Sequence, residues 1–526
     1  MKSIMTHTTV TSGAKAAVLG LALISLVNCS SSDDTTPQVT SGGSAALQGP
    51  MVFVNNTGDK TLTSLSLKGD SGNAVLGTIS SAEFDNVALG DMQFSDGDWV
   101  FLNLAAANKV ATIDPLTGAT PIHEANLAVG TRPVHLYRDR NDGEVVWIMN
   151  DGDNAGGTST RGDDLVNCAT QKGGSVTAVH NSHLGPGGTP PFVLGTTCLL
   201  ADGHKVATFS SGAGVPKRVF VTSEDAGEMA VIDDDEASAD YRKMINRIDL
   251  CNSAKETTPC NNESATPITT AFTPNSSLPH GIRWSNLTKK VYSILEGYHN
   301  IVEIDPTTLA ITKTFDLTGT PYTSYGISPD GRFLLLRGNT TPPTGTKLGV
   351  IDLGTSATPR TDFTIPELDG TSTGSFKFSP DGKRFYILAG NAAASAKKDR
   401  LFAFDASTLT ATPPVLTLIK EIQLIPGGDS AGFSAAHSLD VLAQGAGEAK
   451  YIVVSNKADN SVSIINATDN LIKQTVTNVG SLPGGVIVYA AGTAAAGNQA
   501  TASLTGGSKS KSSALPDQLD DHGMLK

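Results

Sequence analysis

Four histidines stand at one position of an internal repeat: His135 in RPVHLYRD, His204 in DGHKVATFS, His280 in LPHGIRWS and His437 in AAHSLDVL. Each opens a short alternating segment that leads through a turn into a strongly apolar one. Neutral imidazole suits Zn(II), Cu and Fe, with the preference set by geometry. A fold that carries equivalent positions to one axis builds a metal site from such a set. A single histidine here also serves packing or turn hydrogen bonds, so the reading rests on all four. Acidic loops follow the apolar segments: Asn150, Asp151 and Asp153, then Glu224 and Asp225, then Glu296 with His299. A carboxylate in these loops orients an imidazole by accepting its second N–H. Asp151, Glu224, Glu296 and His299 are the secondary ligand candidates.

The elements that position these residues are short strands. An apolar run ends near Asn or a small polar residue, a turn follows, and a second run ends in Ile-Asp or a close variant. Val100–Asn103 leads to Val110–Asp114, Val219–Thr222 to Ala230–Asp233, and Tyr451–Asn456 to Val462–Asn466. Ser-Pro-Asp-Gly precedes such pairs at 328–331 and 379–382, where Pro and Gly fit a tight turn. No long stretch shows the 3.6-residue period of a helical bundle.

This pattern resembles the YVTN-type β-propeller repeat over most of residues 50–490. The resemblance implies an all-β chain of four-stranded blades. Seven full units have second strands near Val100, Val146, Val219, Val291, Phe333, Phe385 and Ile452. Met51–Asn55 lacks an inner strand and Gly485–Tyr489 lacks outer ones. Joining the two closes the ring without a free edge, so eight blades are expected, with seven as the alternative. In such a ring the first strand of each blade lines the channel. The histidines then sit at one channel mouth, three on neighbouring blades and His437 across the ring. RPVH, the Asn-Asp-Gly loop, DGH and PHG are similar to pieces of periplasmic zinc metallochaperone propellers. That likeness implies reversible zinc binding at the four histidines and handover to a metal-transport partner.

Other features carry less chemistry. His180 and His183 in VHNSHLG follow a third strand, which places them on the opposite face, in a solvated loop or, as the weaker alternative, a second metal site. Asp151-Gly152-Asp153-Asn154 begins like a calcium loop, but its twelfth position is Gly162 and not an acid. Asp233-Asp234-Asp235-Glu236 reads as a solvated turn. No G-x-S-x-G and no evident general base marks a hydrolase, so the sequence leans away from an enzyme. A lactonase-like propeller enzyme or a metal-free surface scaffold remains the alternative.

The N-terminus has the layout of an export signal over residues 1–28, with an apolar core from Ala16 to Val27. Leu26-Val27-Asn28-Cys29 resembles a lipoprotein processing box, which makes Cys29 the lipidated residue and residues 29–49 a flexible tether. The expected location is the periplasm or outer membrane surface, held to the membrane through Cys29. Cys168, Cys198, Cys251 and Cys260 remain, an even number that suggests two disulfides with three possible pairings. Cys251–Cys260 would close a small loop, and Cys168–Cys198 would brace an insertion. There is no CxxCH, which argues against c-type haem. The formal charge is −13, and no basic stripe is present, so nucleic acid is not an expected partner. Residues 491–526 are rich in Ala, Gly, Ser and Lys and read as a disordered tail.

Overall fold

Short alternating strands with Gly, Asn and Asp turns produce thirty-two strands in eight four-stranded antiparallel sheets among the described residues. The protein is an eight-bladed β-propeller, seen here in a computed structural model. The described part comprises residues 50–490, less 96–98, 114–122, 128–130, 153–167, 169–173, 181–190, 200–202, 261–272, 340–345, 356, 358–359, 370, 391–398 and 425–435. The expected export signal, the Cys29 tether and the 491–526 tail lie outside it, as do Asp153 and His183.

Blade 1 is built from both ends of the chain. Met51–Asn56, Thr61–Ser66 and Val75–Ile79 supply its outer three strands, and Pro483–Tyr489 supplies the innermost. Met51 pairs with Tyr489 and Val54 with Val486, so eight blades close as expected. The first strands of blades 2 to 8 are Met92–Phe94, Pro133–Arg138, Ala207–Ser210, Pro279–Ser285, Tyr322–Ile327, Ser372–Phe378 and Ala436–Gln444. They form the inner ring, where first strands pack against first strands of neighbouring blades. Core clusters join neighbouring blades, and Trp147, Trp284 and Tyr292 are fully buried.

The repeat signature has a physical cause. Asn150 ends a second strand, and its buried Nδ2 donates to Ser175 Oγ at 3.0 Å and Thr177 Oγ1 at 2.9 Å on the third strand. Asn56 bonds Thr61 and Thr63 in the same way, and Asn456 bonds Ser461 and Ser463. A buried amide is retained when its hydrogen bonds are made. The Asp that ends a third strand closes a turn: Asp305 Oδ1 accepts from Thr307 N at 2.7 Å and Thr308 N at 3.0 Å.

Short 3-10 turns join second to third strands at Ala105–Ala107, Glu296–Tyr298 and Lys457–Asp459. Each is followed by a left-handed residue: Asn108, His299 and Asn460. Disulfides link Cys168 to Cys198 and Cys251 to Cys260, with Cα atoms 5.4 and 5.8 Å apart. No described helix is long and apolar enough to cross a membrane.

Candidate metal centre

The inner strands bend where they carry histidine. The pairing register shifts between Pro133 and His135, between Pro279 and Ile282 around His280, and between Ala436 and Ser438 around His437. Such bulges re-aim a side chain out of the ladder. Gly281, with φ of 92°, takes a conformation that a side chain would strain. His204 precedes its strand, held where Glu224 N donates to its carbonyl at 3.1 Å. Before it, Gly203 has φ of 98°, and a Cβ there would meet Asp225 Oδ2 at 2.1 Å.

Three of the four histidines meet. The His204 ring centroid lies 4.7 Å from that of His135 and 4.9 Å from that of His280, at interplanar angles of 86° and 58°. Each outer ring carries a carboxylate: His135 Nδ1 meets Asp91 Oδ2 at 2.6 Å, and His280 Nδ1 meets Glu296 Oε1 at 2.6 Å. A carboxylate at Nδ1 holds the proton there and leaves Nε2 as the lone-pair nitrogen. The order across blades 2 to 5 is carboxylate, imidazole, imidazole, imidazole, carboxylate. The cluster is closed at one end and open at the other: the His135 side chain is 8% exposed and that of His280 is 36% exposed.

Further charges flank the row. Asp151 stands between blades 3 and 4, its carbonyl accepting from Gly203 N at 2.8 Å. Its Oδ1 is buried with no hydrogen-bond partner. Burial raises the Asp151 pKa, Lys205, His135 and Arg132 draw it back down, and Glu224 adds to the rise. Lys205 is fully buried, and its Nζ donates to Gly203 O at 2.7 Å. Glu224 is 7% exposed.

The residues suit a transition metal by donor chemistry. Two imidazoles on one tetrahedral zinc stand about 5 Å apart, given Zn–N bonds of about 2.0–2.1 Å. The ring separations match, and the orphaned Asp151 oxygen is a further donor of the right kind. Among the described residues no group of three His, Cys, Asp or Glu side chains is already arranged to hold an ion. Reorientation of side chains, with His204 shared by both neighbours, is needed to close the set.

Sequence reasoning placed His135, His204 and His280 together, and the structure brings them together. It named Glu296 and Asp151, which stand in or beside the cluster, and Glu224, whose backbone holds His204. His299 stands apart: it is exposed, and its left-handed position after the turn is filled by Asn in two other blades. His is among the residues enriched in that conformation, so turn geometry accounts for it. His437 opens the inner strand of blade 8, opposite blade 4 in the ring, and its side chain lies outside the described residues. His180 ends its strand beside Val145, at the other end of the blade from Asn150 and Ser175, as expected. It stacks on Phe192 with centroids 5.2 Å apart.

Asp91 and Lys205 were missed. The register pointed to Gly90 in blade 2, and the acid was one residue further on. Asp233 to Glu236 is not wholly a solvated turn: Asp234 is only 2% exposed, because it packs against Asp139 of blade 3.

No protein-family model matches the chain, and no curated protein matches it in sequence. Solved structures share its fold. NirN, a dihydro-heme d1 dehydrogenase solved in complex with DHE, superposes with a TM-score of 0.50 at 13% identity, over 83% of this chain and 74% of that one. Apo AztD from Citrobacter koseri gives 0.48 at 13% identity, over 84% and 98%. The periplasmic gluconolactonase PpgL of Pseudomonas aeruginosa gives 0.46 at 12% identity, over 84% and 99%. At these identities the likeness extends to the β-propeller fold alone.

Proposed function

We propose that this chain is an exported β-propeller that binds a transition metal, zinc by preference, through His135, His204 and His280. One observation carries the reading: an imidazole flanked by two others at 4.7 and 4.9 Å, each outer ring held by a carboxylate. Three imidazolium charges this close would repel one another, whereas three neutral rings ligate a cation. Asp91 and Glu296 fix the rings, and Asp151 is the nearest candidate oxygen donor. The metal is read as cargo, taken up at the open His280 end and passed to a metal-transport or surface protein. The two disulfides support an oxidising compartment. With the N-terminal signal, they favour the periplasm or outer membrane, with lipid attachment at Cys29.

The test is zinc titration of metal-free full-length protein by calorimetry, with elemental analysis of the loaded form. The expected result is one tightly held ion per chain, lost in His204→Ala. Wild-type protein that folds and binds no zinc or copper would overturn the reading.

A metal-assisted hydrolase is the second reading. It is favoured by the buried Asp151 oxygen beside His135, where a base that activates metal-bound water would stand. Turnover of lactones or esters by the zinc-loaded protein, abolished in Asp151→Asn, separates it from a carrier.

A further inference from the structure

Arg283 lies on the inner strand of blade 5, three residues beyond His280, and is 6% exposed. Its Nη1 donates to Ile282 O at 2.8 Å, and its guanidinium carbon stands 5.8 Å from the Tyr325 ring centroid. Neither neighbour is an acid, and no described carboxylate forms an ion pair with it. Three other buried cations are matched by acids. Lys377 meets Asp440 at 2.5 Å, Arg247 meets Glu228 at 2.7 Å, and the charge of Lys205 acts on Asp151. A buried charge without a counter-charge costs several kcal/mol, on the order of the penalty for desolvating an ion.

The neighbouring chain supplies no acid at this level. Arg283 pairs with Tyr292 on the second strand, and the matching inner-strand residue is Thr208 in blade 4 and Gly326 in blade 6, on either side of it. In blades 3, 7 and 8 it is Tyr137, Lys377 and Asp440. The layer beneath the histidines thus holds two cations and one carboxylate, and that carboxylate accepts from Lys377. The one charge left over at this level is that of Arg283, in a chain whose net charge is −13.

We infer that Arg283 is the docking point for an oxyanion, the carboxylate or phosphate group of a small molecule entering the channel. A guanidinium presents paired N–H donors that match either group. The bulge at Gly281 brings the Arg283 Cα nearer to that of His280 than the about 10 Å of three regular strand residues. A ligand of a few carbons therefore spans the distance from the anion site to the imidazole cluster. The inference does not depend on the metal.

The experiment is calorimetric titration of metal-free full-length protein with acetate and, separately, with inorganic phosphate. Saturable binding of at least one anion is expected, weakened about tenfold or more in Arg283→Gln and partly kept in Arg283→Lys. The arm that binds identifies the group. His280→Ala should bind the anion like wild type while losing zinc, so failure of the anion site and failure of the metal site read separately. No saturable binding of either anion by wild type, or unchanged binding in Arg283→Gln, overturns the inference. Should Arg283→Gln not fold, the thermal midpoint decides: a rise on adding phosphate to wild type that is smaller in Arg283→Lys supports the site, and equal rises overturn it.

Discussion

Blades 3 and 4 meet at two polar ends that are built in opposite ways. At one end His135 and His204 face each other beside His280. At the other, Asp139 and Asp234 meet, each 2% exposed. Trp147 Nε1 donates to Asp139 Oδ2 at 2.8 Å, and the Asn141 and Asp142 amides donate to Oδ1 at 2.7 and 3.0 Å. Asn141 Nδ2 donates to Asp234 Oδ2 at 2.7 Å, and the two carboxyls face each other. Burial raises both pKa values, and repulsion from Asp139 pushes Asp234 well above the usual carboxylate range. A proton shared between them would relieve that repulsion. Asp142 also faces the pair, and Tyr241 lies within its field. At the acidic end protein donors hold both oxygens of Asp139 and one of Asp234, while Asp234 Oδ1 is buried with no hydrogen-bond partner. The histidine end gathers three basic rings and fixes the outer two from behind with carboxylates, which leaves a set that attracts a cation. The difference separates two facing carboxyls from the three facing imidazoles of the proposed metal site.

Substitutions sharpen or break that contrast. The largest effect is expected at the shared ring: His204→Ala should weaken zinc binding beyond the about 10–100-fold typical of losing a supporting residue, with the thermal midpoint of the metal-free protein little changed. Asp91→Asn and Glu296→Gln should each weaken zinc by about 10–100-fold, read by competition with a chromogenic chelator. Equal affinity in both would reduce the carboxylates to incidental contacts.

At the acidic end, the folded state should keep a proton that the unfolded chain releases above about pH 4. Its contribution is therefore full below that pH and is lost as pH rises toward the raised folded value. Asp234→Asn should flatten that fall and gain on wild type by about 1–2 kcal/mol at neutral pH, seen in urea midpoints across the range. An unchanged slope would remove the shared proton. The smallest effect is expected at the turn: His299→Asn should keep zinc affinity, and stability within about 0.5 kcal/mol, since Asn fills that position in two other blades.

Much of this was legible in the sequence because the repeat repeats its physics. Period-2 apolar runs gave the strands, the terminal Asn and Asp gave the turns, and the unmatched runs at 51–55 and 485–489 gave the closing blade. The histidine register was legible for the same reason. What sequence could not show was direction at bulges, since one added residue turns a side chain without changing composition. Asp91 was hidden that way. His299 misled because a metal ligand and a left-handed turn residue look alike in one letter. Asp234 misled because acidic runs are usually solvated, and only the fold brings Asp139 against it.

The most direct test is X-ray absorption at the zinc edge of the loaded full-length protein. The account predicts a first shell of nitrogen and oxygen at about 2.0–2.1 Å with scattering from three imidazoles, falling to two or to no bound zinc in His204→Ala. Zinc bound with no imidazole scattering, or a spectrum unchanged in His204→Ala, would contradict it.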